Sequence, residues 1–480
     1  MFSRLSTRHS TTSRLARRFA TATTTTAHTA SPAWRNPSSA SEFTVTDTHG
    51  FLPSRDPLAV LPSYFDKLTD LLSSMPMSLP DGTSGLLHSG RLGEHIEQHL
   101  PLYDVDFIFD QRILMALHRD YSMLASAYLL EPCDIQFRLA RTYGLARRVL
   151  PANIARPLAL VSARLGGSPF LEHSAFTLYN YRRVDPQGGL TADNLVPIRG
   201  FSGCPAERSY VAAHVSAAQH SAQMVRASLE MLRAVEQDER AGFTQALLQY
   251  AAAMRQANRV LSEVRAPGEY ASFRTFLGGS RHQPMFPAGV LYEGIEGMGY
   301  QRFLGVAQSS SPVASLSTHL FQLASLSPQG SLPCRPGVDA LRPENIRGFL
   351  NHINCEAARH PIQSYALRDA HSAAAYLAAI DQVLAYRFRQ WANLRDSLPV
   401  HAERNHPRFR EYFDVQTRHI RDIAQLAIRT HANIDGELLN SESRAGAEDA
   451  AYRAEGIRRS LERLLDDQEA KPLPVSMIAY

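Results

Sequence analysis

The sequence predicts an all-α protein in which a small helical N-terminal domain is set against a larger helical domain. Two observations carry that class. Apolar residues recur at helical spacing through alanine-rich stretches beyond Cys204, and no alternating, strand-like run lasts more than a few residues. Proline punctuates the first part at Pro53, Pro57, Pro62, Pro76, Pro80 and Pro101, yet none falls between Pro205 and Pro267. With 480 residues, 44% apolar and 20% charged, the chain has ample material for a buried core.

In chain order, residues 1–41 read as a targeting peptide and linker. Arg4, Arg8, Arg14, Arg17 and Arg18 lie among serines and threonines, and no acidic residue precedes Glu42. That composition is expected of an import signal for the mitochondrial matrix, with processing shortly after Arg17-Arg18-Phe19-Ala20. Residues 42–200 form the small domain, with short helices and one longer helix over 110–130. Residues 201–480 form the large domain. Its first helical stretch runs over 205–264 with an interruption near Gln237. Further helices are expected over 267–277, 315–326, 343–353, 368–394, 407–438 and 447–465, with loops at 278–289, 308–312 and 327–336.

Composition also excludes chemistry. Of 50 basic residues only Lys67 and Lys471 are lysines, and neither follows a glycine, so a phosphate-cradling G-x-x-x-x-G-K loop is absent. The formal charge of +4 gives no field that argues for nucleic acid. No segment approaches the roughly 18 uninterrupted apolar residues of a membrane span. The four cysteines, Cys133, Cys204, Cys334 and Cys355, are far apart and read as reduced thiols of an intracellular protein. No G-x-S-x-G or G-x-G-x-x-G occurs. His95 and His99 are four apart, close enough on a helix to share a metal, but no glutamate follows the first as zinc-protease chemistry requires. They read as a solvated face.

One polar residue has an unusual setting. Arg274 lies in an apolar and aromatic helical run, with Tyr270 four residues before it and Leu277 three after. A buried guanidinium needs a carboxylate, from the protein or from a ligand, and its planar fork suits that of an amino acid. The competing reading is an arginine whose stem crosses apolar surface to water.

Six segments in collinear order resemble the indoleamine 2,3-dioxygenase family. They are 149–158 (VLPANIARPL), 178–186 (LYNYRRVDP), 273–279 (FRTFLGG), 289–294 (GVLYEG), 307–310 (AQSS) and 348–350 (GFL). The resemblance implies a small helical domain capping a large helical one that holds haem b, and a reaction adding dioxygen to tryptophan or a related indole. It assigns Arg274 to the substrate carboxylate and Tyr270 to packing on the indole. It places Phe176 and His173 on the distal-pocket segment, His214 above the iron, and Ala307 in the loop beside the substrate and the haem edge.

The resemblance also carries a departure. At the position where the family has its iron-ligating histidine, the run Tyr386-Arg-Phe-Arg-Gln-Trp-Ala392 places Gln390, and no histidine occurs between His371 and His401. A carboxamide is a poor iron ligand beside imidazole. His419, on a later amphipathic helix beside Arg418 and Arg421, is the alternative ligand, against which stands its reading as an exposed histidine. The function expected is therefore that of a haem-dependent dioxygenase. The alternative is a haem-poor homologue that binds a ligand, or a secondary-metabolism enzyme with a different reaction.

Overall fold

The computed structural model describes residues 44–262, 271–280, 284–306, 311–326, 342–396 and 407–469. The expected targeting peptide and linker, Tyr270 and Ala307 lie outside them. The described elements are almost all helical, as the sequence predicts.

The N-terminal part contains α1 (Asp66–Ser74), α2 (Leu86–Ser89), α3 (Leu92–His99) and the long α4 (Gln111–Ala140). Then follow β1 (Val149–Leu150), α5 (Ala152–Leu165), α6 (His173–Phe176), β2 (Tyr181–Arg183) and β3 (Leu195–Pro197). Helix α4 starts where Asp110 accepts hydrogen bonds from the Arg112 and Ile113 amides, satisfying two of the donors that every helix start leaves over. Every residue from Leu114 to Glu131 is buried, so this helix has neighbours on all sides rather than an apolar stripe. Its buried charges are accordingly paired. Arg119 Nε and Arg199 Nη2 reach Asp120 at 2.7 and 2.9 Å, and Glu131 accepts from Arg147 at 2.7 Å and from the Leu92 and Gly93 amides.

The second part begins with α7 (Pro205–Ala218), α8 (Ser221–Glu236) and α9 (Arg240–Ser262). After them come α10 (Ala271–Arg274), β4 (Leu291–Tyr292), α11 (Pro312–Leu320), α12 (Glu344–Arg359) and α13 (Ile362–Ala366). The chain closes with α14 (Ala370–Asp396), α15 (Pro407–Ala432) and α16 (Ser441–Glu469). Helix α9 packs between α8 and α14, while α14, α15 and α16 pack on one another. The strands form two small ribbons, β1 parallel to β4 and β2 antiparallel to β3.

Several boundaries differ from the sequence expectation. Helix α4 runs to Ala140 rather than 130, α12 runs to Arg359 rather than 353, and α15 ends at Ala432 rather than 438. Three further differences have a visible cause. The 205–264 stretch breaks twice, at Gln237 as expected and also at Gln219–His220. The second break is held from outside, because Ser221 Oγ donates to the Ala218 carbonyl and accepts from the Phe51 amide. Gly50, at φ +59°, lies so close that a Cβ there would meet Ser221 Oγ at 2.1 Å. Pro312, expected in a loop, is the first residue of α11, where its missing N–H costs nothing, and Ser311 Oγ accepts from the Ala314 amide. The helix expected over 315–326 instead ends at Leu320 and resumes as a 3₁₀ turn at Leu323–Leu326, with Gln322 between them at φ +51°.

Candidate active site

Two helices, each fixed by a buried carboxylate, present the imidazoles the sequence singled out. Helix α6 is one turn long and cannot hold itself together. Glu172 caps it, accepting from the Ser174 and Ala175 amides at 2.8 and 2.7 Å. Helix α7 is anchored by Glu207, whose carboxylate accepts from the Phe201, Ser202 and Gly203 amides and the Ser202 hydroxyl. Burial raises the Glu207 pKa, and these donors work against that rise. The β2 end of α6 is tied to α4, because Arg119 donates to the Tyr179 carbonyl while its neighbour Asp120 holds Arg199.

His173 and His214 meet edge to face, with ring centroids 5.3 Å apart. Both tautomers follow from hydrogen bonding. The Thr177 hydroxyl donates to the His173 carbonyl at 2.7 Å, so its oxygen receives the His173 Nδ1 proton at 3.2 Å. His214 Nδ1 donates to the Tyr210 carbonyl at 2.8 Å. Each ring is left with its lone pair on Nε2. Burial pushes the His173 pKa well below the ordinary histidine value, helped by His214 and the Arg342 guanidinium. Burial also lowers His214, against the pull of the Tyr210 carbonyl, so both rings are neutral at pH 7.

Both histidines line a tight cavity with room for about one water molecule. Leu178, Ala217 and Val313 make much of the wall apolar, and Ser311 and Tyr386 also line it. The hydroxyls of Ser311 and Tyr386 bond to each other at 2.7 Å, and burial raises the Tyr386 pKa. Behind the imidazoles stands an aromatic cluster. Phe176, fully buried, packs on Phe201, Tyr210 and Phe273 at 5.8, 5.8 and 6.2 Å, and Tyr210 lies 4.1 Å from the His214 ring. Phe176 is thus wall packing behind the cavity. Arg274, at the end of α10 and next to Phe273, is half-buried and is not among the residues lining the cavity.

The α14 side has a different chemistry. Tyr386 faces the cavity, and Arg387 turns away to donate to the Ala314 carbonyl at 2.7 Å and to the Thr318 hydroxyl, tying α14 to α11. Gln390, one turn on, is half-buried and does not line the cavity. His419 on α15 is fully buried, which corrects the reading of it as an exposed histidine beside Arg418 and Arg421. Arg418 does point to solvent, and Arg421 pairs with Asp422 at 2.8 Å. Burial, with Arg387 nearby, pushes the His419 pKa down to about 3. His95 and His99 meet edge to face, with ring centroids 4.4 Å apart, on α3, where His95 is half-buried and His99 exposed.

Thr177 and Tyr210 were legible in the sequence as i+4 and i−4 neighbours of the two histidines, but nothing in sequence order brings Ser311 to Tyr386, 75 positions away.

A family model described as indoleamine 2,3-dioxygenase matches residues 39–391. The chain belongs to that family. Among its relatives, the human indoleamine 2,3-dioxygenase 2 is 26% identical over 263 residues, 54% of this chain and 60% of that protein. The indoleamine 2,3-dioxygenase of Saccharomyces cerevisiae is 26% identical over 286 residues, 56% of this chain and 58% of its own. The 6-hydroxytryptophan 2,3-dioxygenase of Fusarium equiseti is 24% identical over 276 residues, 56% of this chain and 63% of its own. The matched stretch therefore spans about 60% of the length of these relatives.

The family is haem-dependent in general. An iron ligated from the α14 side needs an imidazole facing the cavity there. Among the described residues that side offers the Tyr386 phenol and the Ser311 hydroxyl, while the cavity's imidazoles, His173 and His214, stand on α6 and α7. The described α14 residues therefore do not fit a haem ligated from that helix.

Proposed function

We propose that the protein binds tryptophan or a related indole amino acid in the cavity between α6–α7 and α11–α14, and adds dioxygen to it as an indoleamine 2,3-dioxygenase-like oxygenase. The observation that carries this reading is membership of this family, together with a small, largely apolar cavity lined by two neutral imidazoles. Imidazole lone pairs in an apolar wall accept from the N–H of a flat aromatic ring, and the surrounding side chains exclude water. In this reading Arg274 meets the substrate carboxylate. Haem b would supply the oxygen chemistry of such a reaction; Gln390 would be a poor holder of its iron, and His419, the buried imidazole on the α14–α15 side, does not line the cavity. The names of the relatives extend the substrate class from tryptophan to its hydroxylated derivative. Residues 1–41 serve mitochondrial import in this proposal, which fails if the mature cellular protein still begins at Met1.

A second reading is favoured by the α14 face: a family member that kept the cavity as a ligand-binding protein without haem, or that carries out a different reaction. The visible spectrum of the purified full chain, supplemented with haem and passed through gel filtration, separates the two. The oxygenase reading expects a Soret band to co-elute with the protein. Its loss, with tryptophan still binding, leaves the second reading standing.

A further inference from the structure

A second cavity, of about 300 Å³, opens where α15 turns into α16, and its size is at the lower end of small-molecule sites. It lies beyond residue 391, where the family match ends, so kinship with the relatives does not account for it. Ile434, Leu439 and Ala447 form the apolar part of its lining, with Leu439 and Ala447 buried. Glu437, Arg444 and Glu448 line it as well.

The turn that carries these residues is pinned. Asp435 accepts from the Glu437 amide at 3.0 Å, at the start of the 3₁₀ turn Gly436–Leu438. From α16, Arg444 donates to the Gly436 carbonyl through Nε at 2.8 Å and through Nη2. A lining fixed in this way loses little freedom when a ligand arrives.

The charges around the cavity do not meet. Among the described residues neither the Glu437 nor the Glu448 carboxylate has an ion pair or hydrogen bond, and Arg444 makes none through Nη1. Two turns further along the same helix the carboxylates are paired, Arg458 bridging Glu455 and Glu462 at 2.8 and 2.6 Å. Two carboxylates and a guanidinium held apart around an apolar surface suit a small ligand that carries both charges and an apolar side chain. A metal ion fits less well, because no three His, Cys, Asp or Glu residues able to hold one gather among the described residues.

We propose that the α15–α16 cavity binds a free α-amino acid with an apolar side chain. Arg444 takes its carboxylate, Glu437 and Glu448 its ammonium group, and Ile434, Leu439 and Ala447 its side chain. The ligand need not be an indole, so this site stands or falls independently of the proposed function.

Equilibrium dialysis of the full chain against labelled L-leucine tests the proposal. Saturable binding at one site per chain is expected. Isoamylamine and 4-methylpentanoate, which keep the side chain but lose one charge each, and glycine, which loses the side chain, should compete at least about threefold more weakly, the scale of one exposed charge contact. Arg444→Gln should weaken leucine about 3–10-fold and leave isoamylamine unchanged. Glu448→Gln should weaken leucine and isoamylamine alike and leave 4-methylpentanoate unchanged. Should Arg444→Gln not fold, because its side chain holds the turn, Glu437→Gln and Glu448→Gln decide the matter, since neither carboxylate has a partner to lose. The proposal is overturned if leucine shows no saturable binding, if the amine or the acid alone binds as tightly as leucine, or if leucine binding survives every one of these variants.

Discussion

The two sides of the cavity solve opposite problems with the same residue type. On α6 and α7, His173 and His214 keep their Nδ1 protons on partners one turn away, which leaves their lone pairs on Nε2, and both residues line a cavity. On α14 and α15, the buried imidazole His419 sits beside the Arg387 guanidinium, and the cavity sees a phenol instead. All three rings are neutral, chiefly through burial. A neutral buried histidine is therefore not by itself a functional one. What separates the two sides is that His173 and His214 line the cavity and His419 does not.

Four experiments press on that contrast. The largest effect is expected from Asp120→Ala, which leaves the buried Arg119 and Arg199 guanidiniums without their carboxylate. Stability should fall by about 3–5 kcal/mol in chemical unfolding, the usual cost of stranding a buried charge. Because Arg119 also holds the Tyr179 carbonyl just after α6, ligand binding should weaken too. A loss below about 1 kcal/mol would show that this network does not hold the imidazole-bearing side.

Next is Arg274→Ala, expected to weaken binding of an indole amino acid by about 2–5 kcal/mol while leaving the decarboxylated amine of the same ring almost unaffected. Equal losses for acid and amine would remove Arg274 from carboxylate recognition.

His419 provides a pH test of the other side. Its folded pKa of about 3 lies below the ordinary value of 6.5, so between those limits the unfolded chain binds the extra proton. Its contribution is complete above about pH 6.5 and is lost as pH falls toward 3, amounting to about 2 kcal/mol at pH 5. His419→Gln should therefore show a smaller drop in unfolding free energy between pH 7 and pH 5 than the unaltered protein, by about that amount. Parallel pH dependences would mean that His419 is not held neutral in the folded protein.

The smallest effect is expected at Gln390. Half-buried and away from the cavity, Gln390→Ala should change stability by less than about 0.5 kcal/mol and leave both ligand binding and any Soret band as they were. A shifted Soret band in this variant would place Gln390 at the iron.

Much of the fold could be read from the chain because helical periodicity and capping are local. Asp110 before α4 and the break at Gln237 show themselves within a few residues. The Gln219–His220 break does not, because the Phe51 amide and Gly50 that hold it lie about 170 positions earlier. Pro312 was ambiguous for a related reason: proline marks a loop and a first helical turn equally well, and the Ser311 cap decided between them. In the candidate site, sequence order pointed to His173, His214, Phe176 and Arg274. It could not say that Phe176 lies behind the cavity wall, or that Tyr386 and Ser311 face the two imidazoles.

By itself, then, the sequence determined the helical class, the family and the residue types available for chemistry, since spacing along a chain records local geometry and ordered motifs record kinship. Only the tertiary structure decided which imidazole nitrogens remain unprotonated, which histidines line a cavity, and that His419 is buried rather than exposed. Those properties depend on burial and on partners brought together across the fold, as with Ser311 and Tyr386.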